Sequence, residues 1–170
     1  MDITEVILND HHEQRRMFGM LEEIHPDDTE ALSSVWNRLR ILLEVHAAAE
    51  ERLFYPRLLK LQKDLIQQES PEEETEDAVH DHNEIRDAIA AVEGHPVGSD
   101  DWQRAIEKVN EVNGDHMAEE ERQGLTDFRR HVDLQERHTM AVAFLAFESE
   151  HAGGIIAQDK DPEQYIRENS

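Results

Sequence analysis

The sequence predicts an all-α fold: an up-down-up-down four-helix bundle with an additional C-terminal fifth helix. Three observations predict it. Apolar residues recur at three- and four-residue spacing through long stretches of the chain. Those stretches open on cap-type residues and stop at proline or glycine. Aromatic residues make up only 5% of the 170 residues against 38% hydrophobic, which suits a helical bundle better than a β-sandwich.

Asp2, with Glu5 three residues on, reads as a capping box opening the first helix. Ile7, His11 and Phe18 share one of its faces, and His25-Pro26 ends it. Asp27 with Glu30 opens the second helix, whose inner stripe is Val35, Leu39, Leu42, His46, Glu50 and Leu53. Pro56 is expected to kink or loosen its last turns. Ser70-Pro71-Glu72-Glu73 combines a cap, a proline at the first helical position and a glutamate at the third, a strong start for the third helix. Ala78, His82, Ile85 and Ile89 point inward along it, and Gly94 stops it. Asp100 with Gln103 opens the fourth, with Trp102, Ala105, Val109, Val112, His116 and Glu120 as its stripe. Asn113-Gly114 inside that pattern predicts a local bend. A fifth helix spans roughly 126–150. Residues 1–125 are thus expected to form the bundle, 126–152 an accessory helix and 153–170 a polar tail.

Composition excludes several functions. The formal net charge of −23 repels phosphate backbones and anionic lipid heads, so neither nucleic acid nor membrane is expected as a partner. There is no cysteine, which removes disulfides, thiolate metal sites and iron–sulfur clusters. The longest uncharged run, "TMAVAFLAF" at 139–147, is too short to span a bilayer. No basic segment leading into an apolar one opens the chain, and a cytoplasmic location is expected. The 139–147 run is too apolar to stay bare. It either covers one end of the bundle, closing a cavity to water, or pairs two chains, so the protein is expected as a monomer or as a homodimer through the fifth helix.

The chain repeats itself. "HAAAEER" at 46–52 and "HMAEEER" at 116–122 agree at five of seven positions, 70 residues apart. "DHHEQR" at 10–15 matches "DHNEIR" at 81–86 in Asp, His, Glu and Arg. His11 precedes His46 by 35 residues and His82 precedes His116 by 34. The first and second helices and the third and fourth therefore read as two copies of one helical hairpin.

The repeated residues carry chemistry. Positions i and i+4 share a helix face, so His46 pairs with Glu50 and His116 with Glu120, each pair on an apolar stripe. A carboxylate buried there without a cation is costly. Four histidines and two glutamates supply a cation site for a metal pair, and mixed imidazole and carboxylate donors suit iron, manganese or zinc. With both glutamates bridging and an oxo or hydroxo bridge, octahedral geometry leaves about one open position per iron.

His11, His46-x-x-x-Glu50, His82 and His116-x-x-x-Glu120 together resemble the hemerythrin-like HHE family, over roughly residues 2–123. The resemblance implies a four-helix bundle with a non-heme di-iron site: two iron ions, oxo- or hydroxo-bridged, held by His11, His46, Glu50, His82, His116 and Glu120. Oxygen-carrying hemerythrins place a second histidine one turn after the third-helix ligand, and here that residue is Arg86. This departure disfavours a reversible carrier and leaves a position open to peroxide, oxygen or NO. Some bacterial and mycobacterial members are associated with catalase-like peroxide breakdown; others bind O₂ or NO, or sense iron. The expected function is accordingly that of a di-iron protein with catalase- or peroxidase-like activity on H₂O₂, the alternatives being O₂ or NO binding or sensing, or iron handling without turnover. A thiol-dependent repair role is disfavoured by the absence of cysteine.

Several further residues compete for places around this set. Arg15 and Arg86 follow histidines by four residues and are expected either to support the site as cations behind its ligands or to form salt bridges at the bundle edge. A seventh donor could be Tyr55, His131, His138 or solvent. Tyr55 falls about 180° from His46 on an ideal helix, unless Pro56 re-aims it. His12 and His80 are expected to miss the site. Glu51 and Glu121 are expected on solvated helix faces.

Overall fold

In the computed structural model, which describes residues 1–61 and 70–170, the protein is all-helical, with no strand among the described residues. Helix α1 spans Ile3–Glu23, α2 Thr29–Ala49, α3 Tyr55–Leu58, α4 Pro71–Val92, α5 Asp100–Arg122, α6 Gly124–His131, α7 Leu134–Glu150 and α8 Pro162–Asn169. A π-helical turn, Glu50–Phe54, joins α2 to α3. None of these helices is long and apolar enough to cross a membrane.

Caps set most of the boundaries. Asp2 accepts a hydrogen bond from the Thr4 amide at 3.0 Å, starting α1. The cap of α2 is Asp28, one residue later than the sequence pattern places it, accepting from Ala31 N. Ser70 and Glu73 form the expected reciprocal capping box. Ser99 rather than Asp100 caps α5, leaving Asp100 and Asp101 in the first turn, where they face the positive end of the helix. Helix α5 runs without a break through Gly114, and the Asn113 side chain donates to Gln14 Oε1 at 3.0 Å.

The four long helices close a ring, α1 against α2 and α5, and α4 against α2 and α5. Two apolar clusters fill it. One, toward the α1–α2 connection, is built on Phe18, Trp36, Leu39, Ile89 and Trp102. The other holds Ile7, Phe54, Leu58, Val79, Phe128 and Phe144. The histidines and glutamates lie at the heights on the helices between these two clusters. Gly98 closes the α4–α5 connection with φ +81°, and a Cβ there would stand 2.1 Å from the Pro26 carbonyl oxygen, so only glycine fits.

Two C-terminal expectations change. The stretch expected as one helix over 126–150 is two. Val132 is extended, at φ −108° and ψ 130°, and Asp133 caps α7 by accepting from the amides of Gln135 and Glu136. An aspartate that bonds the next turn's amides competes with continuation of the helix before it. The stretch expected as a polar tail contains α8. Asp161 caps it, Pro162 sits in its first turn, and Tyr165 is buried as the helix packs along α4.

Helix α7 lies on α1 and α2, burying Ala141 and Phe144. The 139–147 run therefore covers the bundle. Val142 and Leu145 remain on its outer face.

Candidate metal centre

The centre is assembled from one side chain per turn on four helices. α1 supplies His11, α2 His46 with Glu50 at its end, α4 His82, and α5 His116 and Glu120. All six are buried. Glu50 lies in the middle. Its Oε1 is 2.9 Å from His46 Nε2 and 4.0 Å from His11 Nε2, and its Oε2 is 3.3 Å from His82 Nε2. His82 Nε2 and His116 Nε2 are 3.1 Å apart. Glu120 Oε2 is 3.3 Å from His11 Nε2.

These distances define two triads of donor atoms, His11–His46–Glu50 and Glu50–His82–His116, each compact enough for one ion, with Glu50 common to both. Their chemistry fits a metal. His11 Nε2, His46 Nε2, both Glu50 oxygens and Glu120 Oε2 are buried and have no hydrogen-bond partner. Orphaned polar atoms of this kind are expensive in a protein interior, and here they converge. Two neutral imidazole nitrogens brought to 3.1 Å repel unless a proton or a cation lies between them.

Electrostatics points the same way. Burial alone would lower the His46 pKa, but the Glu50 and Asp10 carboxylates beside it more than reverse that and raise it. His82, equally buried, is carried up to about 9 by Glu50 and Glu51. The centre is thus a cavity in which carboxylates demand positive charge.

Each histidine has a carboxylate behind it, hydrogen-bonded at His11 and His82 and at ion-pair distance at His46 and His116. His11 Nδ1 lies 3.0 Å from Glu121 Oε1, and His82 Nδ1 2.9 Å from Glu51 Oε1. His46 Nδ1 is 3.3 Å from Asp10 Oδ2, and His116 Nδ1 3.4 Å from Asp81 Oδ2. A carboxylate on the far nitrogen fixes the tautomer and turns Nε2 toward the centre. Both halves of the sequence repeat do this in the same way. Aspartate one residue before the α1 or α4 histidine serves the histidine of the following helix, and glutamate one residue after Glu50 or Glu120 serves the histidine of the opposite hairpin. Beside Asp10 stands Glu148 of α7, whose carboxyl is pushed up to about 7 by burial and by Asp10.

These contacts correct the expectation for Glu51 and Glu121. Neither is on a solvated face. Glu51 is 3% exposed, and its carboxyl is held at about 2: burial would raise it, but His82, Arg86 and Lys160 together lower it. Glu121 is also held at about 2, by the hydrogen bond from His11 and, against the opposing effect of partial burial, by Arg15. A residue next to a core position is about 100° away, which in a bundle is the seam between helices rather than its outside. The "EER" ending shared by the two repeats is the sequence signal for this role.

Arg15 and Arg86 act one step further out. Arg15 Nη1 donates to Glu121 Oε1 at 2.8 Å and Arg86 Nη2 to Glu51 Oε1 at 2.5 Å. Both are salt bridges, and both hold the carboxylate that holds a histidine.

Tyr55 reaches the centre. Its hydroxyl donates to Glu120 Oε1 at 2.9 Å, and burial, followed by the Glu120 and Glu50 carboxylates, pushes its pKa well up. The reason is the π turn. Pro56 has no N–H to bond the carbonyl four residues back. Just upstream the helix widens, and the Tyr55 amide bonds the Glu50 carbonyl five residues back. The extra residue in that turn rotates the downstream chain by about 100°, bringing Tyr55 round from the outer face. His131 and His138 join none of the metal-capable clusters among the described residues, and His12 and His80 are exposed as expected.

A small crevice of about 20 Å³ between α4 and α5 is lined by His116, Tyr55 and Glu120 together with Asp77 and Glu119. On the other side Phe144 meets the His46 ring edge-on at 5.8 Å between centroids.

Searches of curated proteins and of solved structures found no match. The family described as "Hemerythrin HHE cation binding domain" matches residues 2–126, the span that carries all six of these buried histidines and glutamates. The chain belongs to the hemerythrin HHE cation-binding family.

Proposed function

We propose that the protein is a non-heme di-iron protein of hemerythrin type that breaks down hydrogen peroxide in a catalase- or peroxidase-like manner. In this reading His11 and His46 hold one ion and His82 and His116 the other. Glu50, common to both triads, and Glu120 would supply the carboxylates that hold the pair, with an oxo or hydroxo group as a further ligand. The carrying observation is the convergence of orphaned buried nitrogens and oxygens around one shared carboxylate. The reading takes the four long helices to run up-down-up-down, which the short α1–α2 and α4–α5 connections favour.

Bound iron would supply two-electron redox chemistry at a position open to a small ligand. The chain supplies the rest. Glu121, Glu51, Asp10 and Asp81 keep the imidazoles aimed. Tyr55 Oη holds a proton beside Glu120 Oε1, and both residues line the crevice. The crevice is about the size of one water molecule. Its carboxylate-rich lining suits a small, neutral, hydrogen-bonding molecule and disfavours anions. Arg86 is turned onto Glu51 and supplies no donor where oxygen carriers have a histidine.

A second reading, capture or sensing of O₂ or NO without turnover, is favoured by the apolar wall that Phe144 sets against His46. Mixing the purified iron-loaded protein with H₂O₂ and measuring oxygen release separates the two. Catalytic oxygen release is expected. Only a stoichiometric reaction, together with a stable oxy or nitrosyl spectrum, would establish the second reading instead.

A further inference from the structure

We propose that the C-terminal segment Asp159–Asn169, which lies outside the family domain, positions one half of the metal centre through Lys160, so that the two halves bind metal with unequal affinity. The inference rests on the di-metal reading of the centre.

Lys160 Nζ lies 2.6 Å from Glu51 Oε2, while Glu51 Oε1 takes His82 Nδ1 and Arg86. Both oxygens of this carboxylate are therefore committed, and the His82 ring is fixed from behind. Lys160 is itself held in place. The Asn83 side chain pairs with its backbone twice, donating to Lys160 O at 2.8 Å and accepting from Lys160 N at 3.1 Å. The Tyr165 ring stands 5.3 Å from Nζ, close enough for a cation–π contact. The Tyr165 hydroxyl donates to the Glu51 carbonyl, inside the π turn that presents both Glu50 and Tyr55.

In the other half, α7 sets Glu148 beside Asp10 and Phe144 against His46, but no cation among the described residues plays the part of Lys160 on the carboxylate behind His11. Glu121, the counterpart of Glu51, is held by His11 and Arg15 alone, and its side chain is 28% exposed against 1% for Glu51. The repeat records the difference. Where "DHNEIR" has Asn83, "DHHEQR" has His12, which is exposed. Asn83 is the residue that grips the strap, so the asymmetry coincides with a position at which the two copies of the motif differ.

A carboxylate fixed behind a ligating histidine typically contributes about 10- to 100-fold to metal affinity. Lys160 also brings a positive charge, and removing it would by Coulomb's law alone favour cation binding. The two effects have opposite signs, and the proposal is that orientation wins.

The test titrates the metal-free full-length chain with Co²⁺ and follows its visible absorption. His46→Ala leaves the His82–His116 half intact, and His116→Ala leaves the His11–His46 half. Lys160→Met is introduced into each. It is expected to weaken Co²⁺ binding roughly tenfold in the first background and to leave the second unchanged, with Lys160→Arg restoring the loss. The same comparison in the otherwise unaltered chain, where one of two equivalents should weaken, covers the case in which a half-site variant fails to fold. Unchanged or tighter binding, equal loss in both halves, or failure of arginine to rescue would overturn the proposal. If the unaltered chain takes up two equivalents and Lys160→Met changes nothing, this inference alone falls; if it takes up none, the metal reading falls with it.

Discussion

Tyr55→Phe removes one oxygen atom from the centre and nothing else. The ring is 1% exposed and packs 5.4 Å from Phe54 and 5.8 Å from His82 between centroids, contacts that phenylalanine keeps. The hydroxyl bond to Glu120 Oε1 is lost, leaving that buried carboxylate short of a donor. Stranding a buried acceptor costs about 1–3 kcal/mol, the upper part of the range applying to a charged one. For a chain of this length each kcal/mol moves Tm by about 2–4 °C, so the metal-free variant is expected to melt roughly 2–12 °C lower. Iron content should stay at the level of the unaltered protein, because the Tyr55 hydroxyl is committed to Glu120 Oε1. Peroxide turnover should fall about 100-fold if the hydroxyl supplies the proton at the crevice. Thermal melts of the metal-free protein, iron analysis and oxygen release read the three effects separately. An unchanged metal-free Tm would show that the Tyr55–Glu120 bond contributes nothing. Unchanged turnover with normal iron would remove Tyr55 from the mechanism.

Further outcomes are expected elsewhere. Phe144→Ala deletes a fully buried ring and should cost about 3–5 kcal/mol in urea unfolding; because that ring covers His46, faster loss of iron to a chelator should accompany it. Gly98→Ala should cost more than about 1–2 kcal/mol in the same assay, since φ is +81° and a Cβ would meet the Pro26 carbonyl. Glu136, bound through both oxygens by Arg57 at 2.6 and 3.1 Å, has its pKa lowered by that hydrogen bond. The lowered pKa means its stabilisation is present above the ordinary carboxylate range and lost as pH falls from there through the lowered value. Glu136→Gln should therefore cost less than about 1 kcal/mol at neutral pH, as exposed pairs do, with the penalty shrinking as the pH falls below about 4.

Much of the molecule is legible in one dimension because helices convert spacing into direction. A fixed rotation of about 100° per residue puts His46 with Glu50 and His116 with Glu120 on inner faces, and burial of a carboxylate there already calls for a cation. Caps at Asp2 and Ser70 can be read because they are local bonds between residues two or three apart. The same rule misplaces Tyr55, since it assumes an unbroken α-helix and the Glu50–Phe54 turn is wider. It leaves Glu51 and Glu121 unassigned, since a helix face is outside or inside only with respect to its neighbours. The break at Val132-Asp133 is masked by an apolar pattern that continues across it, although Asp133 is a cap residue. The Asp161-Pro162 start of α8 is likewise a legible signal, hidden in a stretch whose composition is polar.

The sequence by itself determined the helical class, the doubled hairpin pattern and the six histidines and glutamates that the fold buries, because these follow from periodicity and from the cost of burying charge. Only the tertiary structure decided which carboxylate stands behind which imidazole, that Glu50 alone is shared by both donor triads, and that Lys160 reaches back to Glu51. Those are contacts between residues 31 to 110 positions apart. Such pairings depend on the angle and height at which whole helices meet, and no local rule along the chain carries that information.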